Sequence, residues 1–369
     1  MKGNVKGKKK VILSWEAGHT VEHLNGCPDW NCEFTNDKTR ADEADVVFMT
    51  TASFQRRNSD QYIVFFSQES PKNAWTSVSQ SDYYNFSLGF RHDTAGASPY
   101  GYVVKLAEES QPTGELVDID RIKNKTKPIA WFVSHCQTNS RREDFVKELK
   151  NHIDVDVYGA CEQLQCPRSG ECEKMLDTHY YFYLAFENSI CTDYITEKVW
   201  NNAYAHDVIP IVLKRSIVEG RLPPNSFLAV DDFETIQDMV AKLEELMINR
   251  KAYSEYFNWR REYKIVYLDG SNHDALERPW GFCQMCRLAW TEPRERHVIE
   301  DFKAWWGDSC EADGALVNKI IRASTPGSTK DPSGYPPKNQ IVRIIKQQMR
   351  KNQAAREAKT TDFAYNIRR

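Results

Sequence analysis

The sequence predicts an α/β protein built on doubly wound parallel sheets, and three features carry that expectation. Apolar runs alternate with amphipathic stretches along most of the chain, which is the pattern of strand–helix–strand units. Two of these units end in a polar loop followed by a helix start that carries cations. Neither a G-x-G-x-x-G nor a P-loop pattern occurs, so ordinary dinucleotide or ATP binding is not indicated.

The bulk properties bound the answer. With 369 residues, 41% hydrophobic content, 17 Tyr, 17 Phe and 10 Trp, the chain can bury two cores. Domains of ~150 residues plus extensions fit that length. A formal net charge of −3 argues against a nucleic-acid partner. The basic residues gather at the ends: residues 1–10 carry five Lys and no acid, and residues 341–369 carry eight Lys/Arg against two acids. Such ends read as solvated tails, with a membrane or anionic-glycan contact as the alternative.

In the first third, residues 11–15, 45–50 and 62–67 read as strands. The polar stretch around 110–128, with Pro112 and Pro128, is the predicted boundary. The expected division is a first domain over 1–118, a linker over 119–128 and a second domain over 129–290 whose last segment returns to the first. A capping segment over 291–310 contains Trp305 and Trp306. The remainder, 311–369, reads as a partly disordered tail: 323–340 is rich in Pro, Ser, Gly and Thr, and 341–358 could form a basic helix.

The second domain gives strands at 129–134, 154–158, 181–187, 208–213 and 226–230, with helices near 141–150, 194–205 and 235–249. Ile195, Val199 and Ala203 recur at helical spacing, as do Val240, Leu243, Leu246 and Met247. In such a sheet ligands bind beyond the carboxyl ends of the strands.

At that edge the stretch 180–198, YYFYLAFENSICTDYITEK, runs from an aromatic strand through a polar loop into a helix start with Thr196, Glu197 and Lys198. A cation there costs roughly 0.3–1 kcal/mol unless an anion sits in front of it. The strand 129–134 leads likewise through 135–139 into Ser140-Arg141-Arg142-Glu143, where Ser and Glu three apart predict a capping box with Ser140 as the cap. One mis-signed start reads as a solvated lysine. Two, each following a strand, predict positive charge converging on a diphosphate.

Of ten cysteines, seven cluster, as Cys27 with Cys32, Cys161 with Cys166 and Cys172, and Cys283 with Cys286. Disulfides in an oxidising compartment are one reading, and a four-sulfur zinc site from 27/32 and 283/286 is the other. Two sequons, at Asn85 and Asn124, favour the secretory pathway and hence disulfides and N-glycans. No signal peptide or run of ~18 apolar residues is present, so an N-terminal anchor outside this chain is expected. Two Asp-x-Asp pairs, Asp154/Asp156 and Asp118/Asp120, match a metal–diphosphate pattern by letter. The first reads as one strand's face and the second falls in the linker, so no metal ligands are assigned.

These residues also carry a resemblance. FYLAFENS at 182–189, DYITEKVW at 193–200, VIPIVL at 208–213 and VDDF at 230–233 resemble the signature of the α1,3-fucosyltransferases. VDVYG at 155–159, YFNWR at 256–260 and FCQMCRLAW at 282–290 extend the match to roughly residues 10–310 in the same order. The resemblance implies a GT-B type fold, two Rossmann-like doubly wound domains facing a central cleft. It implies an inverting enzyme that uses GDP-β-L-fucose as donor substrate. A type II Golgi membrane protein, glycosylated and acting in the lumen, is implied as well.

The family's nucleotide-binding residues map onto Ser134, Arg142, Asn188, Tyr194, Glu197 and Lys198, with Tyr158 expected to line the pocket. Arg142 is chosen over Arg141 because Phe145, Val146 and Leu149 keep the family's spacing after it. Arg142 would grip phosphate oxygens bidentately and Lys198 would act as a point charge. Glu197 would orient fucose or ribose hydroxyls. The acceptor's base is expected from the other domain, and Glu69 in SQESP, just after a strand, matches the family's proposed base; the bland alternative is a carboxylate bonding a turn amide. The helix-start cations make metal-independent chemistry the expectation, with divalent ions at most stimulating indirectly.

The segment 158–172 (YGACEQLQCPRSGEC) resembles the branch that fucosylates N-glycan cores in plants and invertebrates. Core α1,3-fucosylation of the Asn-linked GlcNAc of a glycoprotein is therefore the first expectation, and a Lewis-type acceptor the second. Cys27 and Cys32 are expected to bridge to Cys283 and Cys286, and Cys136 to Cys191. Readings of other classes are an inactive glycosyltransferase fold that binds glycans, and a redox or zinc protein.

Overall fold

The computed structural model describes residues 7–16, 21–74, 76, 81–162, 164–165, 172–268 and 281–325. Its frame is two parallel sheets of five strands each. The first holds β1 (Lys10–Ser14), β2 (Cys32–Thr35), β3 (Val46–Met49), β4 (Tyr62–Ser67) and β5 (Phe86–Gly89), in the order β2-β1-β3-β4-β5. A parallel sheet is covered on both faces and needs unbroken apolar runs. VVFM in β3 and YIVFFS in β4 supply them, with Val46, Val47 and Val64 wholly buried.

A ribbon joins the sheets. Strand β6 (Gly101–Lys105) leads out of the first domain, and β12 (Tyr263–Tyr267) leads back to it; the two pair antiparallel. The ribbon lies so close to Trp200 that a Cβ on Gly101 would come within 2.6 Å of the indole. Only glycine permits that approach.

The second sheet holds β7 (Lys127–Phe132), β8 (Val155–Tyr158), β9 (Tyr180–Leu184), β10 (Ile209–Val212) and β11 (Leu228–Ala229), in the order β11-β10-β9-β7-β8. Both sheets thus follow the 2-1-3-4-5 order. Their topological switch points fall between β1 and β3, and between β7 and β9. The helix Ile236–Ile248 packs its buried Ile236, Met239, Leu243 and Leu246 on the second sheet, as its spacing predicts.

Several expected boundaries shift. The expected linker is partly structured: Ile119–Lys123 forms a helix capped by Asp118, and Ile122 is buried in the second core. The expected helix over 194–205 is regular only over Glu197–Trp200. Beyond it, Asn202 N and Tyr204 N donate to Glu197 O and Val199 O five residues back, so wide turns replace the α-helix. Ile195, Val199 and Ala203 are nevertheless buried together, as expected.

The C-terminal part crosses the domain boundary twice. After β12 the helix Phe282–Trp290 packs on the first sheet, where Cys27–Cys283 and Cys32–Cys286 bridge as expected. Closing a loop of 256 residues contributes about 5 kcal/mol in the chain-entropy model, and the neighbouring second bridge adds much less. Phe302 and Trp306 then join the first core. The chain next returns to the second domain. There Ala315–Ser324 buries Leu316, Val317 and Ile320, so the expected tail begins later than residue 311. The expected basic helix over 341–358 and most of 323–340 lie outside the described residues.

The two sequons differ. Asn85 Nδ2 donates to His297 O at 2.8 Å, and its Oδ1 accepts from Ile63 N at 2.7 Å and from Arg56 at 3.0 Å. Its amide is a structural tie and is unsuited to carry a glycan, which corrects that expectation. Asn124 lies exposed at the end of the helix Ile119–Lys123.

Candidate active site

The switch point of the second sheet is where two loops converge, one after β7 and one after β9. The first carries Ser134 to Arg142. Here the expected capping box does not form. Arg141 takes the N-cap position of the helix Arg142–Leu149 in a left-handed conformation, φ 55°, without a side-chain cap. Ser140 Oγ instead donates to Glu187 O at 2.7 Å, and Ser140 N donates to Asn188 O at 2.9 Å, so Ser140 stitches one loop to the other. Glu143 accepts from Thr138 Oγ1.

Arg142 completes that stitching. Its guanidinium is buried, donating to Phe186 O at 2.6 Å and His135 O at 3.2 Å, with Glu143 3.3 Å away. The expected bidentate fork is not presented to the cleft in this conformation, because backbone carbonyls of both loops occupy it. Arg141 points elsewhere, to Asp144 and Asn318, which agrees with its reading as an incidental neighbour.

The second loop gathers charge. Lys198 Nζ lies 2.9 Å from Glu187 Oε2, 2.7 Å from Thr196 Oγ1 and 3.1 Å from Glu197 Oε1. Burial works against the ammonium, but the two carboxylates outweigh it and hold its pKa above the usual lysine value; the Arg142 guanidinium pushes the other way. The two cations therefore share one electrostatic environment. Burial likewise raises the Glu187 carboxyl, against the pull of Lys198. For Glu197, burial is outweighed by Lys198 and Thr196, and its pKa falls.

Glu187 is a functional candidate that the sequence reading missed. It accepts from Thr196 N at 2.8 Å, fixing the start of the helix Glu197–Trp200, and it aims Lys198. The available signal was an acid three residues beyond an aromatic strand. Its neighbour Asn188 has Oδ1 buried without a hydrogen-bond partner, an acceptor open to a ligand N–H or O–H. Ser134 is exposed on the first loop. Tyr158, expected to line the pocket, is committed to the core: its hydroxyl lies 2.6 Å from that of Tyr180, which donates to Asp156. Asp156 also pairs with Lys127, and Asp118 caps a helix, so both Asp-x-Asp pairs carry structural roles.

A small cleft opens beside these loops, lined by Glu187, Ser189, Tyr194, Val212, Lys214 and Val218. The second loop also touches the first domain. Ser70 Oγ donates to Ser189 Oγ at 3.0 Å, and His92 N donates to Asp193 Oδ2 at 3.0 Å. Glu69, exposed after β4, accepts from Tyr194 at 3.2 Å across the boundary. The structure thus brings Glu69, Tyr194, Glu197, Lys198 and Arg142 around one region. Glu69 N also bonds Ser67 Oγ, but the carboxyl itself does not serve the turn.

The expected Cys136–Cys191 bridge is not formed. Cys136 pairs with Cys161, tying the first loop to the segment after β8, and Cys191 pairs with Cys310, tying the second loop to the returning chain. Each loop is thus anchored outward, while Ser140 and Arg142 already join the loops to one another. Cys172 is disulfide-bonded, and Cys166 lies outside the described residues. Among the described residues no cysteine is free, which leaves no thiols for a zinc site.

Residues 122–305 match the profile "Glycosyltransferase family 10 (fucosyltransferase) C-term", and residues 7–101 match "Fucosyltransferase, N-terminal". The chain belongs to glycosyltransferase family 10, the fucosyltransferases. It is 54% identical to alpha-(1,3)-fucosyltransferase fut-1 of Caenorhabditis elegans, over 86% of this chain and 73% of that one. It is 30% identical to alpha-(1,3)-fucosyltransferase C of Drosophila melanogaster, over 84% and 77%. Human 4-galactosyl-N-acetylglucosaminide 3-alpha-L-fucosyltransferase FUT6 is 35% identical over 75% of each chain. A crystal structure of an alpha1,3-fucosyltransferase with GDP superposes with TM-score 0.52 at 15% identity, covering 80% of this chain and 95% of that one. That likeness supports the GT-B arrangement, and with it the two facing sheets of this fucosyltransferase.

Proposed function

We propose that this fucosyltransferase transfers L-fucose from GDP-β-L-fucose, with inversion, to form an α1,3 linkage on the Asn-linked GlcNAc of N-glycan cores. The observation that carries the reading is the pair of cations, Arg142 and Lys198, gathered at the switch point of the second sheet with the Glu69 carboxylate opposite. The identity to an enzyme named as an α1,3-fucosyltransferase supports the linkage. The cysteine-rich segment 158–172 supports the core acceptor.

In this mechanism the acceptor hydroxyl oxygen attacks the anomeric carbon of fucose from the face opposite GDP. The C–O bond to the β-phosphate breaks, and its electron pair leaves with the diphosphate. Glu69 takes the hydroxyl proton, assistance worth typically about 10²–10⁴-fold. Lys198 neutralises the departing charge, while Arg142 acts by direct contact or by holding the two loops at the right separation. Glu187 sets the resting position of Lys198. Asn188 Oδ1 and the carboxylate of Glu197 accept hydrogen bonds from donor N–H or O–H groups. A carboxylate would be repelled by the diphosphate, so Glu197 serves the sugar or ribose hydroxyls. Divalent cations would act indirectly, by screening the nucleotide. Lumenal exposure in the Golgi, with a glycan on Asn124, fits the disulfides.

The test is to incubate the protein with GDP-fucose and a trimmed N-glycan glycopeptide and locate the added deoxyhexose by mass spectrometry. Addition to the innermost GlcNAc is expected. Addition confined to N-acetyllactosamine antennae would favour the Lewis-type reading, and glycan binding without turnover would favour an inactive module.

A further inference from the structure

Lys198 shares its ammonium between two carboxylates whose surroundings differ. Glu187 lies 2.9 Å away and Glu197 3.1 Å away. The Glu197 side chain is 40% exposed, so water can solvate its carboxylate when the lysine moves. The Glu187 side chain is only 13% exposed, and it is tied in place. Its Oε1 accepts from Thr196 N at 2.8 Å and Thr196 Oγ1 at 2.9 Å; its Oε2 meets Thr196 Oγ1 at 3.0 Å and the ammonium. Its carbonyl is pinned as well, accepting from Ser140 Oγ at 2.7 Å. When Lys198 swings toward a ligand, the Glu187 carboxylate stays behind.

The other cations around it are already taken. Arg142, which faces Lys198 from the first loop, is engaged by Phe186 O, His135 O and Glu143. Lys214, on the same cleft, pairs with Glu311. The remaining titratable groups that face Glu187 are the phenols of Tyr183 on β9, Tyr194 on the second loop and Tyr100 beside the ribbon, all kept neutral by burial.

A diphosphate that draws Lys198 to itself therefore changes the state of Glu187. Three anionic groups would share one ammonium, and the Glu187 carboxylate has little water to solvate it. Burial favours the neutral acid in such a place. It already raises the Glu187 carboxyl above its ordinary value; Lys198 opposes that rise and Glu197 adds to it. Taking the ammonium away removes the chief opposing influence.

We infer that donor binding is coupled to proton uptake: as Lys198 turns from Glu187 to the diphosphate, the Glu187 carboxylate takes one proton from solvent and remains in place as the neutral acid. No bond of the donor breaks in this step; a carboxylate and a solvent proton become a carboxylic acid. The inference rests on Lys198 meeting the diphosphate, as proposed above. Release of GDP reverses it, returning the proton as the ion pair re-forms. Donor affinity must then fall as pH rises, because the complex holds a proton that the free site lacks.

The experiment is titration calorimetry of GDP-fucose, without acceptor, at about pH 7 in buffers of different ionisation enthalpy. The diphosphate of GDP-fucose is esterified at both ends, so the ligand itself does not titrate near neutrality. The slope of observed enthalpy against buffer ionisation enthalpy counts the protons exchanged. Uptake approaching one proton per donor is expected for the parent, with Kd rising by up to about tenfold per pH unit. Glu187→Gln keeps the shape but cannot ionise, and should bind the donor without proton exchange and with a Kd that does not follow pH. No uptake by the parent, or undiminished uptake by Glu187→Gln, overturns the inference. Should Glu187→Gln fail to fold, the parent's proton count decides alone. Lys198→Ala separates this inference from the reading beneath it. Weakened binding by Lys198→Ala beside a zero proton count in the parent removes only the proton step. Donor binding by Lys198→Ala at parental strength removes the donor reading itself.

Discussion

In the first sheet, the crevice between β1 and β3 is filled by the protein's own anion. Glu16, just beyond β1, accepts from Thr50 N at 2.9 Å, Thr51 N at 3.0 Å and Ser53 Oγ at 2.8 Å, and from the Thr51 hydroxyl. In the second sheet, the corresponding crevice between β7 and β9 holds Lys198 and the buried Arg142. Both sheets follow the same strand order, and both bring loop groups to the point where that order reverses. The comparison teaches that the topology supplies an anion site and the loops decide whose anion fills it. One domain closes its site with Glu16, and in the proposed mechanism it contributes the acceptor side of the cleft. The other holds Lys198 balanced by Glu187 and Glu197, the cation that the proposed mechanism turns to the diphosphate.

That contrast predicts separable defects. Glu69→Gln should lower kcat by about 10²–10⁴-fold, read from GDP release, while calorimetry finds GDP affinity unchanged. Loss of GDP affinity in this variant would mean that the two domains do not divide the work as argued. Lys198→Ala should weaken GDP binding and lower kcat/KM by about 10²-fold, the scale of one buried charge-assisted contact. Parity with the parent would remove the second crevice from the donor site.

A smaller effect is expected inside the first domain. Asn85→Ala leaves Ile63 N–H and His297 O without their partner and should cost about 2–3 kcal/mol in urea unfolding. It should remove no glycan mass, whereas Asn124→Gln should remove one glycan from secreted protein with little change in stability.

The smallest change is expected for Glu16→Gln, at about 1 kcal/mol in stability at neutral pH, with KM for GDP-fucose unmoved. Burial alone would raise the Glu16 carboxyl, but the Thr51, Ser53 and Thr50 hydrogen bonds bring it below its ordinary value. Its stabilisation is therefore present above the unfolded carboxyl's pKa and is lost as pH falls through the lower folded value. Melting curves of Glu16→Gln and parent should converge in acid; a constant gap would contradict the anion role.

Much of this was legible in the sequence, because the parallel strands are continuous apolar runs and their lengths are nearly those expected. Four strands escaped notice: CEFT in β2 is only half-buried, FSLG in β5 mixes Ser and Gly into the pattern, and β6 and β12 form the half-exposed ribbon between the sheets. The cationic helix starts were legible as charges in the wrong place. What those charges touch was not, since Arg142 turns onto Phe186 O and His135 O, carbonyls that no spacing rule identifies. The bridges Cys136–Cys161 and Cys191–Cys310 depend on where the loops end up in space, so proximity in the family pattern misassigned them. Glu187 was hidden by the aromatic run of β9 just before it, which drew attention away from the acid in the loop that follows.

A crystal structure of the protein with GDP bound tests the central claim most directly. The diphosphate should lie in the crevice between β7 and β9, with Lys198 Nζ about 2.8 Å from a phosphate oxygen. The second loop should stay joined to the first domain through Ser189 and Asp193. A diphosphate seated away from Lys198, or displacing Glu16 from the crevice between β1 and β3, would contradict the account.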